Sequence, residues 1–181
     1  NHEPAAGQAM LKMDPGMAFG TGNHATTRAC LEYIAESDVK PTFLDVGCGS
    51  GILAVAAKLL GFGDVRGFDL DADAVEVAKE TASLNGVDVP FFRGDLSGHM
   101  DGNPEIAPAD FVAANVLGPV LIRFAERIAS LVNPGGAVIL SGILDVRLED
   151  VKTALEKAGL EITGVRAKED WRCVSAKRRT L

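Results

Sequence analysis

Asp45, Gly47, Gly49 and Gly51 stand at alternate positions directly after the apolar run Phe43-Leu44, and a helix-like segment over 51–60 follows at once. Glycine at alternate positions lets a backbone turn sharply and approach a ligand with no Cβ in the way, and the helix behind it turns unpaired N–H groups toward that ligand. These are the parts of a nucleotide-cofactor loop. A second strand-like run, 65–70, carries acids at its end, Asp69 and Asp71. A carboxylate placed there can accept both hydroxyls of an adenosine ribose. NAD and S-adenosylmethionine (SAM) both carry that ribose, and Gly49, Gly51 and Ala54 satisfy the loose dinucleotide fingerprint G-x-G-x-x-A. The glycines by themselves leave both cofactors open.

Other polar residues stand where strands give way to loops. Asn115 interrupts the apolar run 109–116 at its carboxyl end. An amide oxygen there can accept from an amine nucleophile or from the amino-acid part of a cofactor, although a turn asparagine satisfied by backbone gives the same sequence. Asp95 follows the run 89–93 and can accept from an adenine amino group, or cap its own loop. Upstream, Asp14-Pro-Gly-Met-Ala-Phe-Gly-Thr-Gly-Asn-His-Ala-Thr-Thr27 forms a second glycine-rich loop leading into a helix that Thr26 or Thr27 can help to start. Phe19 in that loop can cover the methionine part of SAM or wall a substrate channel, and Thr27 can hydrogen-bond the ligand. His24 and His99 lack partners at metal-ligand spacing and are read as structural or exposed, so no metal is expected. Trp171 is a weaker candidate for a substrate entrance, core packing being the commoner fate of a lone Trp.

These residues need a scaffold, and the chain supplies one. With 181 residues, 47% of them hydrophobic and 24% charged, it is long enough for one well-buried domain. Strand-like apolar runs at 42–47, 65–70, 89–93, 109–116, 136–142, 161–167 and 171–177 alternate with helical periodicity at 25–36, 51–60, 72–84, 118–131 and 148–158. That alternation predicts an α/β fold: a doubly wound, mostly parallel seven-stranded sheet of Rossmann-like type, closed by a C-terminal antiparallel hairpin. Its ligand site belongs at the carboxyl ends of the strands. Asn85-Gly86, Asn133-Pro134-Gly135-Gly136 and Gly159 read as turns between elements. The Gly- and Pro-rich stretch 94–108 reads as a connection with little regular structure.

No apolar run reaches membrane-spanning length, and no secretory signal is visible. Three separated cysteines, Cys30, Cys48 and Cys173, make neither a disulfide framework nor a zinc site, and a reducing cytoplasm fits them. The net charge of −7 disfavours a nucleic-acid backbone and favours a basic partner, despite the cationic tail Lys177-Arg178-Arg179. Residues 1–10 are expected to be a linker or a trimmed end, and 11–181 the working domain.

The register Asp45-x-Gly-x-Gly-x-Gly51 resembles the first motif of SAM-dependent methyltransferases more than the dehydrogenase fingerprint, which puts SAM ahead of NAD. Taken with Asp14-Pro-Gly-Met-Ala-Phe-Gly-Thr-Gly, His24, Thr26-Thr27, Gly67-Phe-Asp69-Leu-Asp71, Ala113-Ala-Asn115-Val-Leu, Ser141-Gly-Ile-Leu and Glu169-Asp-Trp171, it resembles one family closely. That family is the methyltransferases of large-subunit ribosomal protein eleven, known as PrmA, and the likeness runs from about residue 11 to the end. The resemblance implies a class I SAM-dependent methyltransferase fold, with cofactor contacts falling on Thr27, Gly47, Asp69 and Asn115; the spacing from Gly47 favours Asp69 over Asp71. It also implies N-methylation of a basic ribosomal protein, with Asn115 orienting the amine and Phe19 shaping the channel. Members of the family carry an N-terminal substrate-recognition domain for which this chain has no room. Methylation of another protein, nucleic-acid or small-molecule nitrogen, a non-catalytic SAM-binding module, and NAD chemistry stay open as alternatives, and the oligomeric state is not encoded in any feature of the sequence.

Overall fold

A computed structural model describes residues 10–13, 24–38, 41–99, 101 and 106–180. The loop containing Phe19 lies outside the described residues. In chain order the elements are α1 (Ala25–Ala35), β1 (Thr42–Val46), α2 (Ile52–Leu59), β2 (Asp64–Asp69), α3 (Ala72–Leu84), β3 (Phe91–Arg93), β4 (Ala109–Asn115), α4 (Gly118–Arg123), α5 (Ala125–Ser130), β5 (Val132–Leu144), α6 (Leu148–Lys157), β6 (Leu160–Lys168) and β7 (Trp171–Arg178). A 3₁₀ turn, Asp145–Arg147, joins β5 to α6.

The sheet runs β3-β2-β1-β4-β5-β7-β6. Its first five strands are parallel, and β7 enters antiparallel between β5 and β6. The central strands are apolar throughout because helices cover both faces and alternate residues feed two cores. Phe43, Phe111, Ala113, Ile139 and Cys173 pack on one face with residues of α1, α2 and α3. Leu44, Val112, Ala114, Leu140 and Val174 pack on the other with residues of α4, α5 and α6. Phe43 and Phe111 stack at 5.5 Å, and Phe62 meets both edge-on.

The seven strands and the terminal hairpin agree with the sequence reading, and four local details correct it. The segment 118–131 is two short helices broken at Phe124 (φ −111°, ψ 21°). Leu121, Ala125 and Ile128 still face the core across the break, so the hydrophobic period carried no sign of it. Strand 136–142 is longer, since β5 begins at Val132 and runs through the Asn133-Pro134-Gly135-Gly136 stretch read as a turn. Asn133 Nδ2 donates to Asp110 Oδ1 at 2.9 Å and Thr42 Oγ1 donates to Asp110 Oδ2 at 2.6 Å, holding that irregular stretch on the sheet. The pairing slips there, from Ala109 opposite Val132 to Phe111 opposite Ala137. The run 89–93 shortens to Phe91–Arg93, an edge strand behind Pro90. Finally, α1 is capped by His24, whose Nδ1 accepts from the Thr26 N–H, and not by Thr26 or Thr27, which are buried inside the helix.

Candidate active site at the carboxyl ends of the strands

The glycine loop springs from β1. Gly47 and Cys48 N–H groups both donate to the Phe68 carbonyl, at 2.9 and 3.0 Å, binding the loop to β2, and Gly51 caps α2 in the left-handed conformation. Gly47 (φ +67°) is required twice over: a Cβ would sit in strained backbone and 2.6 Å from Val116 Cγ1. Gly49 differs. Among the described residues no atom lies within 4 Å of where a Cβ would sit there, so none of them fills the space beside the middle of the loop. That opening is where a ligand's backbone-hugging portion fits.

Asp69 ends β2 facing the same space. Its Oδ2 accepts from the Gly49 N–H at 2.9 Å and its Oδ1 from the Asp71 N–H at 3.0 Å. These two bonds fix the carboxylate while leaving lone pairs for two further donors, which suits a ribose diol. Asp71 is otherwise engaged, capping α3 through the Asp73 N–H at 2.9 Å. Leu70 between them is 65% exposed, a side chain the sequence reading passed over. Asp95 turns its Oδ1 inward to its own loop, accepting from Ser97 N–H and Oγ–H and from His99 N–H, and these bonds hold its carboxyl below the usual range. The capping role is thus visible, and among the described residues it engages Oδ1.

Asp45 lies under the loop, 1% exposed, with Oδ2 accepting from the Ala54 N–H at 3.1 Å. Burial pushes its carboxyl up to about 7, the Ala54 N–H pulling it down and negative Asp69 adding to the rise. Cys48 is also driven up by burial, then by Asp45 and Asp69, so its thiol stays protonated and is no nucleophile. The Asp45 shift has a measurable consequence. The folded carboxyl keeps its proton to about pH 7 while the unfolded one loses it near 3.8, so the folded form binds more protons in that window and stability falls as pH rises through it. Asp45→Asn keeps an acceptor for Ala54 and removes the charge. Its Tm, read against wild type across pH 4 to 8 by calorimetry, is expected to gain steadily on wild type as pH rises; a constant difference would show that Asp45 ionises normally.

On the other side of the opening, Asn115 ends β4 opposite Ser141 of β5. Its Nδ2 faces Thr27 Oγ1 at 3.4 Å, which turns Oδ1 the other way. Ser141, fully buried, donates through Oγ to the Thr26 carbonyl at 3.4 Å. The first turn of α1 is thereby drawn onto the ends of β4 and β5. Ser141 and Gly142 oppose Cys173 alone, a bulge in the β5 and β7 pairing. Gly142 (φ +81°) has no room for a side chain: a Cβ would lie 2.3 Å from the Val116 carbonyl oxygen. Val116, directly after Asn115, is therefore gripped between Gly47 and Gly142. The sequence hint of this clamp is the Ser-Gly pair breaking an apolar run. Trp171 is half-buried and meets the His24 ring edge-on at 5.3 Å, at the same end of the sheet.

A doubly wound sheet with antiparallel β7 inserted beside β6, a glycine loop after β1 and an acid ending β2 is the class I methyltransferase fold. A methyltransferase from Pyrococcus furiosus shares it at a TM-score of 0.71 and 16% identity, over 96% of this chain and 90% of that one. The family model "Ribosomal protein L11 methyltransferase (PrmA)" matches residues 1–179, and the chain belongs to that family. The ribosomal protein L11 methylase of Lactobacillus delbrueckii subsp. bulgaricus has a TM-score of 0.85 and 32% identity, over 99% of this chain and 90% of that chain. A ribosomal protein L11 methyltransferase from Bacillus pumilus (strain SAFR-032) is 42% identical over 177 residues, which are 94% of this chain and 54% of the relative. The chain spans about half the length of the curated relatives it matches. Family and fold together imply a SAM-type cofactor. The open space at Gly49 and the fixed carboxylate of Asp69 fit one.

Proposed function

We propose that this chain is the catalytic domain, residues 11–181, of a SAM-dependent protein N-methyltransferase. Its acceptor is an amino group of ribosomal protein L11, the protein named in its relatives, and it acts in the cytoplasm. The observation that supports this most directly is Asn115: an amide fixed by Thr27 at the end of β4, across the opening from Asp69.

The cofactor would supply a methyl group activated on a sulfonium: the acceptor nitrogen's lone pair would bond to the methyl carbon as the carbon–sulfur bond breaks with its electrons staying on sulfur, and the methylated nitrogen would then lose a proton. The chain's share is to bind, align and exclude water. Asp69 takes the ribose hydroxyls, the backbone of Gly47, Gly49 and Gly51 lies along the ligand, Thr27 and Asn115 hold its amino-acid end, and Asp95 Oδ2 takes the adenine amino group. Asn115 Oδ1 orients the incoming amine. Phe19, five residues before His24 in the chain, is assigned the shaping of the acceptor channel. A lysine amine, with a reference pKa of about 10.4, sheds its proton when desolvated beside carbonyl acceptors, so the reading assigns no strong base.

The test is methyl incorporation into purified ribosomal protein L11 from labelled SAM. Wild type is expected to label it, with kcat about tenfold lower in Asn115→Ala, the worth of one orienting hydrogen bond. Cofactor binding with no labelling would leave a SAM-binding module without protein methylation, and wild-type kcat in the variant would remove Asn115 from the alignment.

A further inference from the structure

Among the described residues the exposed large apolar side chains include Leu117 (63%), Leu144 (43%) and Val146 (84%), and all three lie where the chain leaves β4 and β5, at the end of the sheet that carries Asn115. Leu117 lies two residues past Asn115 at the exit of β4. Leu144 ends β5, three residues past the Ser141 that pairs with Asn115, and itself pairs with Trp171. Val146 sits in the following 3₁₀ turn. The two exits meet, since a Cβ on Gly118 would lie 3.7 Å from Val151 and 3.8 Å from Arg147. Leu117 and Val146 thus belong to two segments that meet at one seam, and Leu144 pairs with half-buried Trp171 beside it. Apolar side chains spared from the core and gathered at a site mouth mark a contact surface.

The cations carried by β7, the 3₁₀ turn and α6 beside the strip are paired within the chain. Arg172 pairs with Asp145 at 2.8 Å, Arg147 with Asp150 at 3.3 Å and Lys152 with Glu149 at 3.0 Å, while Lys168 is taken by Glu32. Glu169 and Asp170, at the tip of the β6 and β7 hairpin, form no ion pair among the described residues. The Asp170 carbonyl accepts from the Asp145 N–H at 2.9 Å, which lays this acidic tip along the apolar strip. The chain as a whole carries −7.

We propose that this rim docks the acceptor protein. It selects a segment with a large apolar side chain next to the target amine, seated on Leu117, Leu144 and Val146, and basic residues beyond it, facing Glu169 and Asp170. The inference rests on the reading that Asn115 marks where the amine is presented.

Two fluorescein-labelled peptides of equal length test it, each with one central lysine, flanked in one by leucine and arginine and in the other by serine and glutamate. Binding is measured by anisotropy with S-adenosylhomocysteine saturating. The apolar basic peptide is expected to bind at least about tenfold more tightly, the preference shrinking with added salt, and Leu117→Ser with Val146→Ser is expected to cost it about tenfold. Asp170→Lys should remove the salt-sensitive part. Affinity for S-adenosylhomocysteine should not change in these variants, which also shows that they fold. Equal affinity for both peptides, no binding of either, or variants that bind as wild type would overturn the proposal. So would self-association of wild type that the Ser variants abolish, since the strip would then join two copies. Labelled SAM added to the same mixtures separates the two readings: rim-dependent binding without methyl incorporation removes protein methylation and leaves the surface, and incorporation indifferent to the rim variants removes the surface alone.

Discussion

Asp69→Ala is expected to weaken S-adenosylhomocysteine binding by about 100-fold or more, measured by titration calorimetry. Two effects add. The ribose loses a charged acceptor for both hydroxyls, each such hydrogen bond being worth about 1.5–3 kcal/mol. The loop also loses its anchor, because Gly49 N–H and Asp71 N–H both donate to this carboxylate. Asp69→Asn separates the two, since one amide oxygen can keep one of those bonds while the charge is gone; its affinity should fall between wild type and the Ala variant. NAD as a competing ligand is expected to bind far more weakly than S-adenosylhomocysteine. Wild-type affinity in Asp69→Ala, or a preference for NAD, would overturn the assignment of this end of the site.

The second large effect is on the clamp around Val116. Gly142→Ala should lower stability by about 3 kcal/mol or more, left-handed backbone costing about 1–2 kcal/mol and the forced shift about 1–3 kcal/mol. In a domain of this size that is a fall in Tm of about 10 °C. The clash is with the Val116 carbonyl oxygen, at 2.3 Å, so trimming the Val116 side chain cannot relieve it. Gly47→Ala meets Val116 Cγ1 instead, at 2.6 Å, and Val116→Ala removes that atom. A double-mutant cycle should therefore show positive coupling for Gly47 with Val116 and none for Gly142 with Val116. Equal coupling in both cycles would mean that the backbone around Asn115 yields, and that the two glycines do not set its position.

Much of this protein was legible in its sequence because the signals are local. Alternation of apolar runs with helical periods reports burial on both faces of a sheet, and it placed seven strands and the terminal hairpin. The glycine loop and Asp69 were legible for a related reason. A backbone that must turn within four residues and admit a ligand tolerates few side chains, so its chemistry is written in consecutive positions. Asn115 stood out because a polar residue ending an apolar strand needs a partner.

Other features depended on neighbours far along the chain. The break at Phe124 preserves the hydrophobic period, and the stretch Asn133–Gly136 is held on the sheet by distant partners, Asp110 receiving Thr42 and Asn133 and Arg178 donating to the Val132 carbonyl. His24 caps α1 with Thr26 turning its hydroxyl to the His24 ring and its carbonyl to Ser141, while Thr27 turns its hydroxyl to Asn115. The need for glycine at position 142 exists only once β4 and β5 lie side by side. Composition and local pattern thus determined the fold class, the cofactor loop and the acid that closes it. Tertiary packing decided which way Asn115 faces, what grips Val116 and which apolar side chains gather at the rim, since each depends on side chains that meet only when distant strands are brought together.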